Sequence, residues 1–287
     1  MNYRHAFHAG NFADVFKHVL LQALFRALQR KDKAFLFLDT HAGRGRYDLA
    51  AAGPATRSPE WPEGIGRLWP RSDLPPALAG YVEMVRECNR YHRVEGAKLR
   101  YYPGSPALAQ MLARPIDRLA FCELQPDECA ALEREMAGVP RMRVHATDGY
   151  AALKALLPPL ERRALVLIDP PFEGADEFDR IVGALRAGLQ RCPAAVYAIW
   201  YPLTGRAPAR EFFTALRTLP LPPTLAVELR VHAPDTVARM GGCGMVILNP
   251  PWQFDVEIRP VLDVLADLLA VEPGAAARVE WLVRETS

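Results

Sequence analysis

Short apolar runs occur at 34–38, 119–122, 143–145, 164–168, 195–200, 225–231 and 244–248, and each ends in a polar or glycine-rich turn. Between them lie stretches with apolar residues at helical period, such as 126–137, 149–157 and 177–191. Strands alternating with helices imply parallel β-α-β units and a doubly wound α/β sheet. Such sheets bind ligands beyond the carboxyl ends of their strands. The residues that follow each apolar run are therefore the candidates for chemistry.

One spacing departs from this rhythm. From Asp39, which ends the first run, to Glu123, which ends the second, is 84 residues, whereas a β-α-β unit needs only about 30. The surplus implies an inserted helical subdomain at 51–100, with residues 1–50 and 101–287 forming the core. The insertion is proline-rich at its start and helical in pattern from Pro76 to about Arg93.

The chain also begins unusually. Residues 1–33 carry six Lys/Arg against two acids, a net +4 where the whole chain is only +2. That total excludes a uniformly basic nucleic-acid coat but allows a local basic patch. Asn11 is a candidate helix cap with Asp14 in the capping-box position, followed by Phe16, Leu20, Leu24 and Leu28 at helical spacing. Asp14, His18 and Gln22 share the other face. The start lacks a signal-peptide pattern, and no run approaches the roughly 18 apolar residues of a membrane span. The five cysteines are irregularly spaced, as expected for reduced thiols in a cytoplasmic protein. His5, His8 and His18 fit no common zinc spacing, so no metal is expected.

Four strand ends carry the candidate site. Asp39-Thr40-His41-Ala42-Gly43-Arg44-Gly45 follows the first strand. Its glycines permit a tight turn and close approach to a ligand. Position 48 is Asp where a dinucleotide fingerprint needs a third glycine, which disfavours a nicotinamide oxidoreductase. Glu123 follows the second strand, where an acid commonly accepts from ribose hydroxyls. Asp148-Gly149 follows the third. Asp148 suits an adenine amine and also suits a helix cap, and both can hold at once.

The fourth end is the most specific: a buried strand closing in Asp169-Pro170-Pro171-Phe172. This resembles the (D/N)-P-P-(Y/F/W) tetrapeptide of methyltransferases acting on an amine attached to an aromatic ring. Such an amine is a poor nucleophile because its lone pair is delocalised. The Asp169 carboxylate and the Pro170 carbonyl can each accept one N–H and draw the nitrogen toward tetrahedral geometry. The prolines stiffen the turn, and Phe172 offers a face for an extruded base. Asn249-Pro250-Pro251-Trp252 fits the same pattern but follows the last strand. In a methyltransferase sheet that strand runs antiparallel, so this copy points away from the ligand edge and is expected to be structural.

Longer stretches resemble one family. They are Tyr3-Arg4-His5 with Phe7-His8-Ala9-Gly10-Asn11, Asp14-Val15 with Lys17-His18, Leu38 through Gly43 with Gly45-Arg46-Tyr47, and Arg100-Tyr101-Tyr102-Pro103-Gly104-Ser105-Pro106. Asp169-Pro170-Pro171, Trp200-Tyr201-Pro202, Asn249 to Trp252 and Arg278-Val279-Glu280-Trp281 continue the likeness in order. Together they are similar to the RlmJ family of bacterial 23S rRNA adenine-N6 methyltransferases.

The resemblance implies a Rossmann-like, class I S-adenosylmethionine-dependent methyltransferase. Its sheet would have seven strands, mostly parallel with the last antiparallel, plus a small helical insertion. It implies methylation of N6 of adenine 2030, on free or partly assembled 23S rRNA, by a cytoplasmic monomer with no membrane partner. The donor site would comprise His18, His41, Ser105, Glu123, Asp148, Gly149 and Asp169, with Asp169 catalytic. Tyr3, Lys17, Pro170 and Phe172 would meet the substrate. Relatives carry Tyr where this chain has Phe172, so stacking is kept and a hydroxyl is lost. The tetrapeptide alone leaves open a DNA or other RNA adenine methyltransferase, and a non-catalytic RNA-binding assembly factor.

Overall fold

The computed structural model describes residues 7–51, 59–204, 209–232 and 240–284. The chain opens with α1 (Phe12–Gln29), β1 (Leu36–Asp39) and β2 (Arg46–Asp48). A short 3-10 turn (Trp61–Glu63), α2 (Ile65–Leu68) and α3 (Pro76–Tyr91) follow, and then β3 (Tyr101–Pro103). The remainder alternates: α4 (Ser105–Leu112), β4 (Arg118–Cys122), α5 (Pro126–Glu135), β5 (Met142–His145), α6 (Gly149–Leu156), β6 (Ala164–Ile168), α7 (Glu177–Arg191) and β7 (Val196–Leu203). It closes with α8 (Ala209–Leu216), β8 (Thr224–Arg230), β9 (Gly242–Leu248), α9 (Phe254–Leu269) and β10 (Ala276–Val283).

The main sheet has the order β10-β8-β9-β7-β6-β1-β4-β5. β1 pairs in parallel with both β4 and β6, and the pairs β4–β5 and β6–β7 are also parallel. β9 is antiparallel to both β7 and β8, as expected for the seventh apolar run. The expected count of seven strands is corrected to eight, because β10 adds an antiparallel edge beside β8. Its inward residues Ala277, Val279 and Trp281 alternate with exposed Arg278 and Glu280, so the strand lacks a continuous apolar run. A second, two-stranded ribbon joins β2 to β3.

The chain leaves β1 toward β4 on one side, and β6 lies on the other. This is the topological switch point at which open α/β sheets bind ligands, and it places Asp39 and Asp169 at neighbouring strand ends.

The period-two alternation of each strand divides the core into two layers. Phe37, Phe121 and Leu165 face α1, α9, α2 and α3. Leu36, Leu38, Val166 and Ile168 face α6, α7 and α8. α1 is buried nearly all round, and its polar stripe is enclosed as well: Asp14, His18 and Gln22 are all buried. Gln22 donates to the Ala77 carbonyl at 2.9 Å, which seats α3 on this stripe.

Residues 60–65 also fasten the segment before α1. Ile65 N–H donates to the Gly10 carbonyl at 2.8 Å, and Glu60 accepts from Asn11 at 2.9 Å and pairs with His8 at 2.8 Å. A Cβ at Gly64 would lie 2.1 Å from that Gly10 oxygen, so this approach requires glycine. The Asn11 side chain caps α1 by accepting from Asp14 N–H at 3.0 Å. Asp14 closes the reciprocal bond one residue earlier than a standard capping box, on Gly10 N–H at 3.0 Å.

Candidate active site

A cleft of about 1710 Å³ opens along the carboxyl ends of the parallel strands. His18, Lys17, His41, Ser105, Glu123, Asp148, Gly149, Asp169, Pro170 and Phe172 all line it, although the sequence separates them by up to 155 positions. Tyr3 lies outside the described residues.

Asp169 projects from the end of β6 and meets Lys17 of α1 at 2.6 Å through Oδ2. Lys17 also meets Asp14 one helical turn earlier at 2.8 Å. Burial would depress the Lys17 ammonium, but the two carboxylates outweigh it and hold its pKa well above the ordinary lysine value. Lys17 is thus a fixed cation that pins one oxygen of Asp169, and the other is free of that contact.

The loop after β1 is set by its neighbours. Thr40 donates its hydroxyl to the Leu167 carbonyl at 3.0 Å. Its oxygen then serves as acceptor for His41 Nδ1 at 2.8 Å, which assigns the proton to Nδ1 and the lone pair to Nε2. Burial pushes the His41 imidazole down to about 4, so the ring is neutral at physiological pH. Asp39 is fully buried, and its Oδ1 accepts His41 N–H at 3.3 Å. Burial pushes its carboxyl up to about 7, against the opposing pull of the Ser105 hydroxyl and Lys17.

On the β4 side, Glu123 accepts Gly43 N–H and Gln125 N–H, each at 2.8 Å. Gly43 adopts φ +60°, where a Cβ would also strike the Tyr47 hydroxyl at 2.4 Å. Asp148 caps α6 by accepting Tyr150 N–H at 2.8 Å. A Cβ at Gly149 would lie 1.8 Å from the Thr40 carbonyl, so only glycine lets α6 begin this close to β1. Tyr150 sets its ring edge-to-face against His41 at 4.9 Å and donates its hydroxyl to Glu177 at 2.6 Å. Arg180 covers the same ring at 4.7 Å.

At the other end, Phe172 packs edge-on against Phe178 and Trp200 at centroid distances of 5.5 and 5.6 Å. Its φ of +50° is uncommon for a bulky residue. His18 lies at the back of the cleft, where its Nδ1 and the Tyr102 hydroxyl share a 2.8 Å hydrogen bond.

Asp14, Asp39, Trp200, Phe178 and the Tyr150–Glu177–Arg180 group were not singled out as site residues by the sequence. Asp39 and Trp200 stood inside quoted motifs without a role, and Asp14 was read only as a cap. The β1, β4 and β5 side of the cleft is rich in acceptors. Glu123, Asp148, Ser105 and the Nε2 of His41 suit a ligand that carries a ribose diol, an amine and positive charge. This set fits S-adenosylmethionine on chemical grounds. No group of metal-ligating residues is present among the described residues.

Residues 32–283 match the family model described as RsmJ, "Ribosomal RNA large subunit methyltransferase D, RlmJ". The chain belongs to the RlmJ family. It is 41% identical over 286 residues to ribosomal RNA large subunit methyltransferase J of Escherichia coli, covering 99% of this chain and 100% of the relative. The Haemophilus influenzae protein of the same name is 39% identical over 285 residues, with the same coverage. A crystal structure of a Legionella pneumophila protein superposes with a TM-score of 0.85 at 36% identity, covering 96% of this chain and 98% of that one. The likeness thus extends over nearly the whole length of each of these chains. No helix among the described residues is long and apolar enough to cross a membrane.

Proposed function

We propose that this protein transfers a methyl group from S-adenosylmethionine to the N6 amine of an adenine in 23S rRNA, adenine 2030 by the family resemblance. The observation that carries the reading is the Asp169–Pro171 turn at the switch point, with Lys17 pinning one Asp169 oxygen at 2.6 Å. The second oxygen and the Pro170 carbonyl are left to accept the two N–H bonds of an exocyclic amine. Phe172, braced by Phe178 and Trp200, supplies the face against which an extruded base stacks. Fixing the amine this way gives most of the acceleration by orientation.

His18, His41, Ser105, Glu123, Asp148, Gly149 and Asp169 would hold the donor. When bound, it supplies an activated methyl group on a cationic sulfur. The neutral His41 adds no repulsive charge beside that cation. Asp169 need not be a strong base before transfer, because N6 becomes acidic only once methylated. Its carboxylate is then placed to receive the departing proton, beside a lysine that stays charged. We assign the enzyme to the cytoplasm as a monomer, with 51–100 as an inserted subdomain of a core made by 1–50 and 101–287.

The test is incubation with labelled S-adenosylmethionine and a 23S rRNA transcript, then nuclease digestion and mass spectrometry. The expected product is one N6-methyladenine at the named position. Donor binding without methylation of any 23S transcript would overturn the assigned substrate.

A further inference from the structure

The insertion carries a second cavity, of about 680 Å³, on its face formed by the 3-10 turn, α2 and the 92–101 loop. That volume falls within the range of about 300–1,000 Å³ usual for ligand pockets. Its floor includes Trp61, Trp69 and Tyr101, and its rim carries Arg93, Lys98 and Arg100. Trp69 Nε1 donates to the Ala97 carbonyl at 2.7 Å, which holds the loop in place over the indole. Arg93 at φ +54° and Gly96 at φ +68° turn that loop.

The charges on this rim differ from those elsewhere on the insertion. Arg67, Arg71, Arg86 and Arg90 each meet a carboxylate of the insertion itself. Arg93 and Lys98 are exposed, and neither has an ion-pair partner among the described residues. Arg100 pairs with Asp48 at 3.0 Å and also lies over the Tyr101 ring at 5.2 Å. The cavity lining therefore holds three cations against one acid, Glu95. An aromatic floor under a cationic rim is the chemistry of unpaired nucleotides, whose bases stack while their phosphates meet Arg and Lys.

The cavity borders the segment that lines the strand-end cleft. Trp61 lines the cavity, and Glu60, the residue before it, lines the cleft. We infer that this cavity is an accessory RNA site, which holds an unpaired nucleotide of the substrate strand outside the catalytic cleft. The inference rests on the reading that the substrate is RNA.

The test compares wild type with the Arg93→Ala/Lys98→Ala double variant, whose changes are exposed and away from the catalytic residues. The probes are a minimal hairpin carrying the target adenine and a longer 23S transcript with its flanking strands. On the long transcript the variant should bind about 10-fold more weakly. Its salt dependence should fall by about 1.4 in log–log slope, two phosphate contacts at about 0.7 each. The turnover rate at saturating RNA should be unchanged, as should hairpin binding. If the wild type methylates both probes and the variant binds the long transcript with unchanged affinity and slope, the accessory site is overturned. If the wild type methylates neither, the RNA reading falls, and this inference falls with it.

Discussion

Asp169-Pro170-Pro171-Phe172 and Asn249-Pro250-Pro251-Trp252 follow strands of the same sheet, yet they face opposite edges. The first ends β6, which runs with β1, and opens into the cleft. The second ends β9, which runs against β7 and β8. Asn249 therefore lies beyond the amino ends of those strands. Its amide donates to the Pro193 and Ala195 carbonyls, both at 2.8 Å, and ties β9 to the start of β7. Asp169 bonds a buried charged side chain 152 residues away, whereas Asn249 bonds only backbone carbonyls, 54 and 56 residues away. Phe172 is braced by two aromatic rings, and Trp252 is 72% exposed. A four-residue pattern thus acquires its chemistry from strand direction and from what the far end of the chain brings to it.

The largest expected contrast follows directly. Asp169→Ala should lower the methylation rate by at least about 10³-fold, equivalent to about 4 kcal/mol. Donor binding, followed by calorimetry, should change far less. Equal losses of both would show that Asp169 mainly holds the donor. Lys17→Met leaves the buried Asp14 and the partly buried Asp169 without their shared cation. It should cost about 3 kcal/mol in urea unfolding at pH 7, and no residue near Asn249 should show a comparable charge effect.

The pH dependence sharpens the same contrast. A carboxyl raised from 3.8 to about 7, as at Asp39, opposes folding increasingly as pH climbs through that window. Asp39→Asn should therefore stabilise the donor-free protein by about 3 kcal/mol at pH 8, and by little near pH 4. A variant at the uncharged Asn249 should shift stability equally at both pH values.

Smaller effects separate the aromatics and the amide. Phe172→Ala should weaken productive RNA binding by about 2 kcal/mol, the usual worth of one stacked base, read as a rise in KM for RNA. Asn249→Ala should cost about 1–2 kcal/mol of stability for its two hydrogen bonds and leave the rate per folded molecule intact. Trp252→Ala should change neither stability nor rate by more than about 0.5 kcal/mol.

Much of this was legible in the residues because it is local. Each strand-end motif follows an apolar run, and the antiparallel β9 ends the series of runs. The antiparallel direction of β9 follows from the sheet type. The missing pieces depend on distance or on weak patterning. Nothing near Lys17 announces a partner at 169, and Asp14 looks like a cap because it is one as well. β10 escaped because an edge strand needs apolar residues on one face only. β2 and β3 are three residues each, too short to leave a periodic trace.

The near-complete burial of α1 has a consequence during synthesis. Among the described elements this helix comes first along the chain, and its cover includes α9 and β9, which lie near the far end. At about 5–20 residues per second, an 18-residue helix rich in Val, Leu and Phe waits roughly 10–50 s for that cover. For that interval it is a greasy surface on an unfinished chain. The helix that brings Lys17 to Asp169 therefore gains its full cover only after the far end of the chain has been made.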